Sequence, residues 1–184
     1  MFCSTIVFGQ KYSYNAGTRF IKKAEKNLKK GNLQRAEKLI AKAYLSNYAF
    51  CGTEAFRLES AIIFIDLQVA LKQKKFDRTF YLLDSTHIGD NIGYNKRDSL
   101  KIIALFSKYG KDKVRNSFKN ITKVNEEIGY FGQPLYFVTL KELNYIFCFE
   151  ERRFDKNGQA IPETKTENEF YDKAKNTAFY KLIE

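Results

Sequence analysis

Apolar residues recur at three- and four-residue spacing between Ala16 and Lys30, at Phe20, Ile21, Ala24 and Leu28, with lysines filling the other face. That pattern predicts an amphipathic helix with one buried side. Gly31 and Asn32 end it, because glycine takes the left-handed backbone that closes helices and asparagine caps a following one. A second helix is expected from about Leu33 to Leu45, with Ala36, Leu39, Ile40 and Ala43 on one face. So short a connection makes the two helices pack antiparallel.

Glu54 to Gln73 is also helical in pattern and apolar on most sides, which predicts a central helix. After Lys74 and Lys75, the residues Phe76, Thr79 and Leu83 stand where Leu33, Ala36 and Ile40 stand in the first pair, an offset of 43 residues. A polar, glycine-containing connection spans Asp84 to Arg97. A third helical pair is expected beyond it. Asp98 to Tyr109 would turn Leu100, Ile103, Ala104 and Phe106 inward, Gly110 would reverse the chain, and Val114, Phe118 and Ile121 would face the core from the next helix.

The pattern changes after Gly129. Tyr136, Val138 and Leu140 alternate as in a strand, whereas Tyr136, Leu140, Leu143 and Phe147 also fit one helical face, so Leu135 to Phe149 can be read either way. The run Asp155-Lys156-Asn157-Gly158 between extended residues has the chemistry of a hairpin turn and favours a small sheet from about Leu135 to Ile161. Glu167 to Ile183 places Tyr171, Ala174, Ala178 and Leu182 on one stripe of a closing helix. The expected organisation is a tail at 1–14, a helical region at 15–128 and a C-terminal α+β cap at 129–184.

Gly31, Ala36 and Ala43, preceded by Phe20 and Ala24 and joined by Ile40, resemble the tetratricopeptide repeat, in which small residues let paired helices approach and glycine makes the turn. The match covers Ala16 to Tyr48. It departs at Lys23 and Asn27, where the family prefers apolar or aromatic residues, and at Tyr48, where proline is usual. The resemblance implies a mainly α fold: antiparallel hairpins stacked as a short, degenerate array, closed by the C-terminal β-hairpin or sheet and helix. It also implies a non-enzymatic module that binds a protein or peptide. In that family the first helix of each pair lines the binding groove, which makes Arg19, Lys23, Asn27 and Lys30 the partner-binding candidates.

Charge changes the picture by suggesting what the partner is. The chain of 184 residues has a formal net charge of +11. Ten of its cations, from Lys11 to Lys42, lie in a segment whose only acids are Glu25 and Glu37. An acidic protein or peptide fits that imbalance, with nucleic acid as the alternative and plain solvation of the helices as the other role for lysines. A toxin-neutralising or inhibitor protein is a further functional alternative, because a small charged module can occlude an oppositely charged active site.

The start of the chain, Met1 to Asn15, carries a short apolar run ending at Val7-Phe8-Gly9. It resembles the end of a bacterial secretory signal peptide, which implies a mature start near Gln10 and export if an upstream start completes the signal; a short strand or tail in a cytoplasmic protein is the other reading. Removal of Cys3 would leave Cys51 and Cys148 as a possible disulfide, or as two buried thiols.

Catalytic patterns are sparse. His87 is the one histidine, in a loop with Asp84, Ser85 and Asp90 but without a nucleophile elbow. Glu126, Glu127, Glu142, Glu150 and Glu151 are the candidates for a carboxylate pair, yet neighbours on a strand point to opposite faces. Neither a metal site nor a cofactor is expected.

Overall fold

The computed structural model describes residues 11–48, 53–84, 92–119, 124–128 and 134–150. The chain forms two compact units, Met1–Asn91 and Ile92–Glu184. Helices dominate the described residues, and a small antiparallel sheet lies in the second unit.

In the first unit, Ser13 caps α1 (Tyr14–Lys29) by accepting a hydrogen bond from the Ala16 amide at 3.3 Å. The helix buries Gly17, Ile21, Ala24 and Leu28, a stripe at helical spacing. α2 (Leu33–Tyr44) answers with Ala36, Ile40 and Ala43. Ala24, Ala36 and Ala43 are fully buried, so the two backbones approach closely where methyl groups meet. α3 (Thr53–Lys72) packs against both α1 and α2, and α4 (Phe76–Asp84) packs against α3. One core cluster joins Ile21, Leu28 and Ile40 to Leu58, Ile62, Ile65 and Val69 of α3. Each such aliphatic side chain contributes roughly 1.5–3 kcal/mol on burial.

The two ends of the first hairpin are fastened to each other. Lys11 donates its amide to the Leu45 carbonyl at 2.8 Å, and Asn47 donates to Tyr12 at 2.8 Å. This lays the chain before α1 beside the end of α2. Gly17 sits at the crossing, where an added Cβ would come within 2.8 Å of the Ser46 Cβ and 3.1 Å of Leu58. Helix propensity alone favours alanine there; the close approach requires glycine.

The turns of the two hairpins correspond bond by bond. The Gly31 amide donates to Leu28 and the Asn32 amide to Asn27; 43 residues on, Lys74 donates to Leu71 and Lys75 to Ala70. Both are the paired bonds of a helix closed by a left-handed residue. Gly31 has φ +78° and Lys74 has φ +57°. α1 and α3 end at Lys29 and Lys72, and α2 and α4 begin at Leu33 and Phe76, again 43 residues apart. Lys74 holds the glycine-like conformation at a steric cost of roughly 1–2 kcal/mol.

In the second unit, α5 (Tyr94–Tyr109) and α6 (Lys111–Lys119) are joined through Gly110 at φ +88°. β1 (Val124–Ile128), β2 (Pro134–Leu140) and β3 (Tyr145–Glu150) form an antiparallel sheet in the order β1-β2-β3. The registers set Val124 opposite Val138, and Val138 opposite Phe147. Val138, Leu140 and Phe147 are buried, so alternation gives this sheet one core face. A 3₁₀ turn at Lys141–Leu143 and a left-handed Asn144 (φ 47°) reverse the chain between β2 and β3.

Leu135 to Phe149 is extended, as the expected small sheet requires, and is broken by the 3₁₀ turn. Other sequence expectations change here. The sheet begins earlier than expected, at Val124, inside the segment assigned to the helical region. Asn125, Glu126 and Glu127 are poor strand formers, and pairing with β2 overrides that local preference. α5 starts at Tyr94 rather than at the expected Asp98, with Gly93 in the capping position, where its carbonyl accepts from Lys96 and Arg97. Ile103, expected inward, is 44 % exposed, whereas Lys101 is 1 % exposed. Of the expected signal remnant or tail at 1–14, residues 1–10 lie outside the described residues, as do the Asp155–Gly158 turn and the closing helix from Glu167 to Ile183, while Tyr12 pairs with Ser46 and Tyr14 already opens α1.

Candidate interaction surface

The buried stripe of α1 leaves its opposite side to cations. Arg19, Lys22, Lys23, Lys26 and Lys30 are exposed. Asn27 is half-buried, and its Nδ2 donates to the Lys23 carbonyl oxygen at 2.8 Å, so this side chain also satisfies its own helix. The two nearby acids are already engaged. Glu25 holds Lys29 at 2.6 Å one helical turn away. Glu37 accepts from Lys75 and, at 3.2 Å, from Gln73, which ties α2 to the α3–α4 turn. The Lys75 hydrogen bond, helped by Gln73, holds the Glu37 carboxyl below its ordinary range against a small opposing effect of burial. Among the described residues, Arg19, Lys22, Lys23, Lys26, Lys30, Arg35, Lys38 and Lys42 make no ion pair.

The 43-residue correspondence gives this face a position in the fold. Arg19, Lys23, Asn27 and Lys30 correspond to Ile62, Asp66, Ala70 and Gln73 of α3. Ile62 belongs to the core cluster shared with the first hairpin, Asp66 accepts from the Tyr44 hydroxyl at 2.9 Å, and Gln73 donates to Glu37. α3 therefore uses these positions to meet the hairpin before it. On α1 the same positions are exposed at Arg19, Lys23 and Lys30 and half-buried at Asn27.

Asp66 is the polar centre of the α3 contact. It is 9 % exposed and accepts from Arg78 Nη2 at 2.5 Å as well as from Tyr44. Arg78 also donates to the Tyr44 hydroxyl at 3.3 Å and stacks near the Tyr44 and Tyr81 rings, with its guanidinium 5.7 and 5.4 Å from their centroids. Burial raises the Tyr44 pKa, and the Asp66 charge raises it further. Burial acts against the charge on Arg78, but the Asp66 hydrogen bond and charge outweigh it and raise the Arg78 pKa. One carboxylate thus joins three helices. In the first hairpin, the corresponding positions are Lys23 for Asp66 and Arg35 for Arg78: two cations and no carboxylate.

The second unit contains charged residues that polarity patterning misses. Arg97, Asp98 and Lys101 are buried on α5. Arg97 Nε donates to Asp98 Oδ1 at 2.8 Å, and Lys101 Nζ donates to the Cys148 carbonyl oxygen at 2.9 Å while lying 5.5 Å from the Phe147 ring centroid. Lys101 ties α5 to β3. Its sequence signal is weak because a lysine three and four residues from other charges reads as a solvated face. Glu142 accepts from the Ser117 hydroxyl at 3.3 Å and links the 3₁₀ turn to α6. Glu126 and Glu127 lie on β1 and Glu150 at the end of β3; His87, Cys51 and Glu151 lie outside the described residues, and with Cys51 goes any account of its pairing with Cys148. Among the described residues, no three metal-ligating side chains gather, and no helix is long and apolar enough to cross a membrane.

Compared with family models, curated proteins and solved structures, the chain matches none of them.

Proposed function

We propose that the chain is a non-enzymatic interaction module in which tetratricopeptide-like hairpins present a basic surface to an acidic protein or peptide. One observation carries this reading: the first hairpin spends both of its carboxylates on ion pairs with Lys29 and Lys75 and leaves eight of its cations without one among the described residues. Surface charge of one sign steers an oppositely charged partner and speeds association. The corresponding turns at Gly31 and Lys74 support the repeat part of the reading, because they give two successive hairpins the same closure.

Fluorescence anisotropy with a labelled polyglutamate peptide tests it, using single-stranded DNA of equal length as the competing polyanion. Salt-sensitive binding of the peptide is expected, weakened about tenfold or more in the Lys23→Glu/Lys30→Glu variant. Unchanged affinity in that variant would remove this surface from the interaction. Preference for the DNA at equal salt would replace the protein partner with nucleic acid.

A further inference from the structure

We infer that the acidic partner binds as a helix, taking the place on α1 that α2 takes on α3. This inference rests on the acidic-partner reading and adds the shape and register of the bound segment. On α3, Asp66 and Gln73 meet Tyr44 and Glu37 of α2, so residues two helical turns apart on each helix pair in opposite directions. The corresponding α1 positions are Lys23 and Lys30, both exposed. Where α3 supplies a carboxylate between Arg78 and Tyr44, α1 supplies Lys23 with Arg35 at the position of Arg78. The group missing from the first hairpin is an acceptor with negative charge.

A helix running antiparallel to α1 would supply it. One carboxylate would reach Lys23 and Arg35, and a second, two turns away, would reach Lys30. Arg19, Lys22 and Lys26 stand at the positions of Ile62, Ile65 and Val69, so the α1 face that corresponds to the apolar contact of α3 is itself cationic. That difference selects against another apolar hairpin and in favour of an acidic amphipathic helix.

Two helix-forming peptides of identical composition and charge test the inference: one with four Glu on a single face at i, i+4, i+7 and i+11, the other with the four Glu distributed around the helix. By isothermal titration calorimetry, the one-face peptide is expected to bind about tenfold more tightly. Lys23→Asp supplies the missing carboxylate from within the chain; it is expected to abolish that preference while leaving the far-UV circular dichroism unchanged. Equal affinity of wild type for the two peptides would overturn the helix register and leave the acidic-partner reading standing. Failure of both peptides and of polyglutamate to bind would overturn both. Full preference for the one-face peptide in Lys23→Asp would overturn the assignment of the site to Lys23 and Arg35.

Discussion

The two hairpins of the first unit close their turns with the same hydrogen bonds, but their first helices face different surroundings. α3 packs Ile62, Ile65, Asp66 and Val69 against the preceding hairpin, whereas α1 presents Arg19, Lys22, Lys23 and Lys26 at the corresponding positions to solvent. The comparison teaches that positions which α3 uses for packing are left exposed on α1, and that charge is what distinguishes the two faces.

Removing the internal joint should have the largest effect. Asp66→Ala leaves the Tyr44 hydroxyl and the Arg78 guanidinium without their shared acceptor and should cost about 3 kcal/mol in urea unfolding. Lys23→Ala at the corresponding position should change stability by less than about 0.5 kcal/mol. Equal effects would erase the distinction between joint and edge. Gly17→Ala should cost about 1–3 kcal/mol, because the new Cβ meets Ser46 and Leu58 in the crossing that holds α1 to both neighbours.

The turns allow a finer comparison. Gly31→Ala meets no atom within 4 Å, so its cost of about 1 kcal/mol comes from the left-handed backbone alone. Lys74→Gly should do the reverse and stabilise by about 0.5–1 kcal/mol, the relief of strain being partly offset by the freedom glycine adds to the unfolded chain. Thermal melts of the two variants should therefore move in opposite directions if the two turns are equivalent.

The smallest effect concerns pH. Because the folded-state pKa of Glu37 lies below its ordinary 4.5, its contribution is fully present above that value and is lost as pH falls through the depressed folded pKa. Glu37→Gln should remove this part of the acid sensitivity. Wild type should lose stability relative to the variant below about pH 4.5, by a small amount because the pair is solvent-screened.

Much of the first unit was legible in the sequence because its signals are local. Periodic apolar positions mark α1 to α4, Gly31 announces its turn, and Phe76, Thr79 and Leu83 reveal the 43-residue offset. Lys74 gave no such notice, since a lysine in the left-handed region is set by its surroundings and not by its own preference. β1 was hidden by the polar run Asn125 to Glu127, and Lys101 by the rule that counts lysine as exposed. The basic character of Arg19, Lys23 and Lys30 was plain, but the contrast with Ile62, Asp66 and Gln73 of α3 depends on tertiary contacts, which no local pattern contains.

A double-mutant cycle at Lys23 and Arg35 tests the correspondence between the two hairpins most directly. If these residues hold the positions of Asp66 and Arg78, Lys23→Asp should raise the melting temperature by about 1–2 °C through a new ion pair, and adding Arg35→Ala should cancel the gain. Additive effects, with no coupling between the two positions, would contradict the equivalence on which the placement of the basic surface rests.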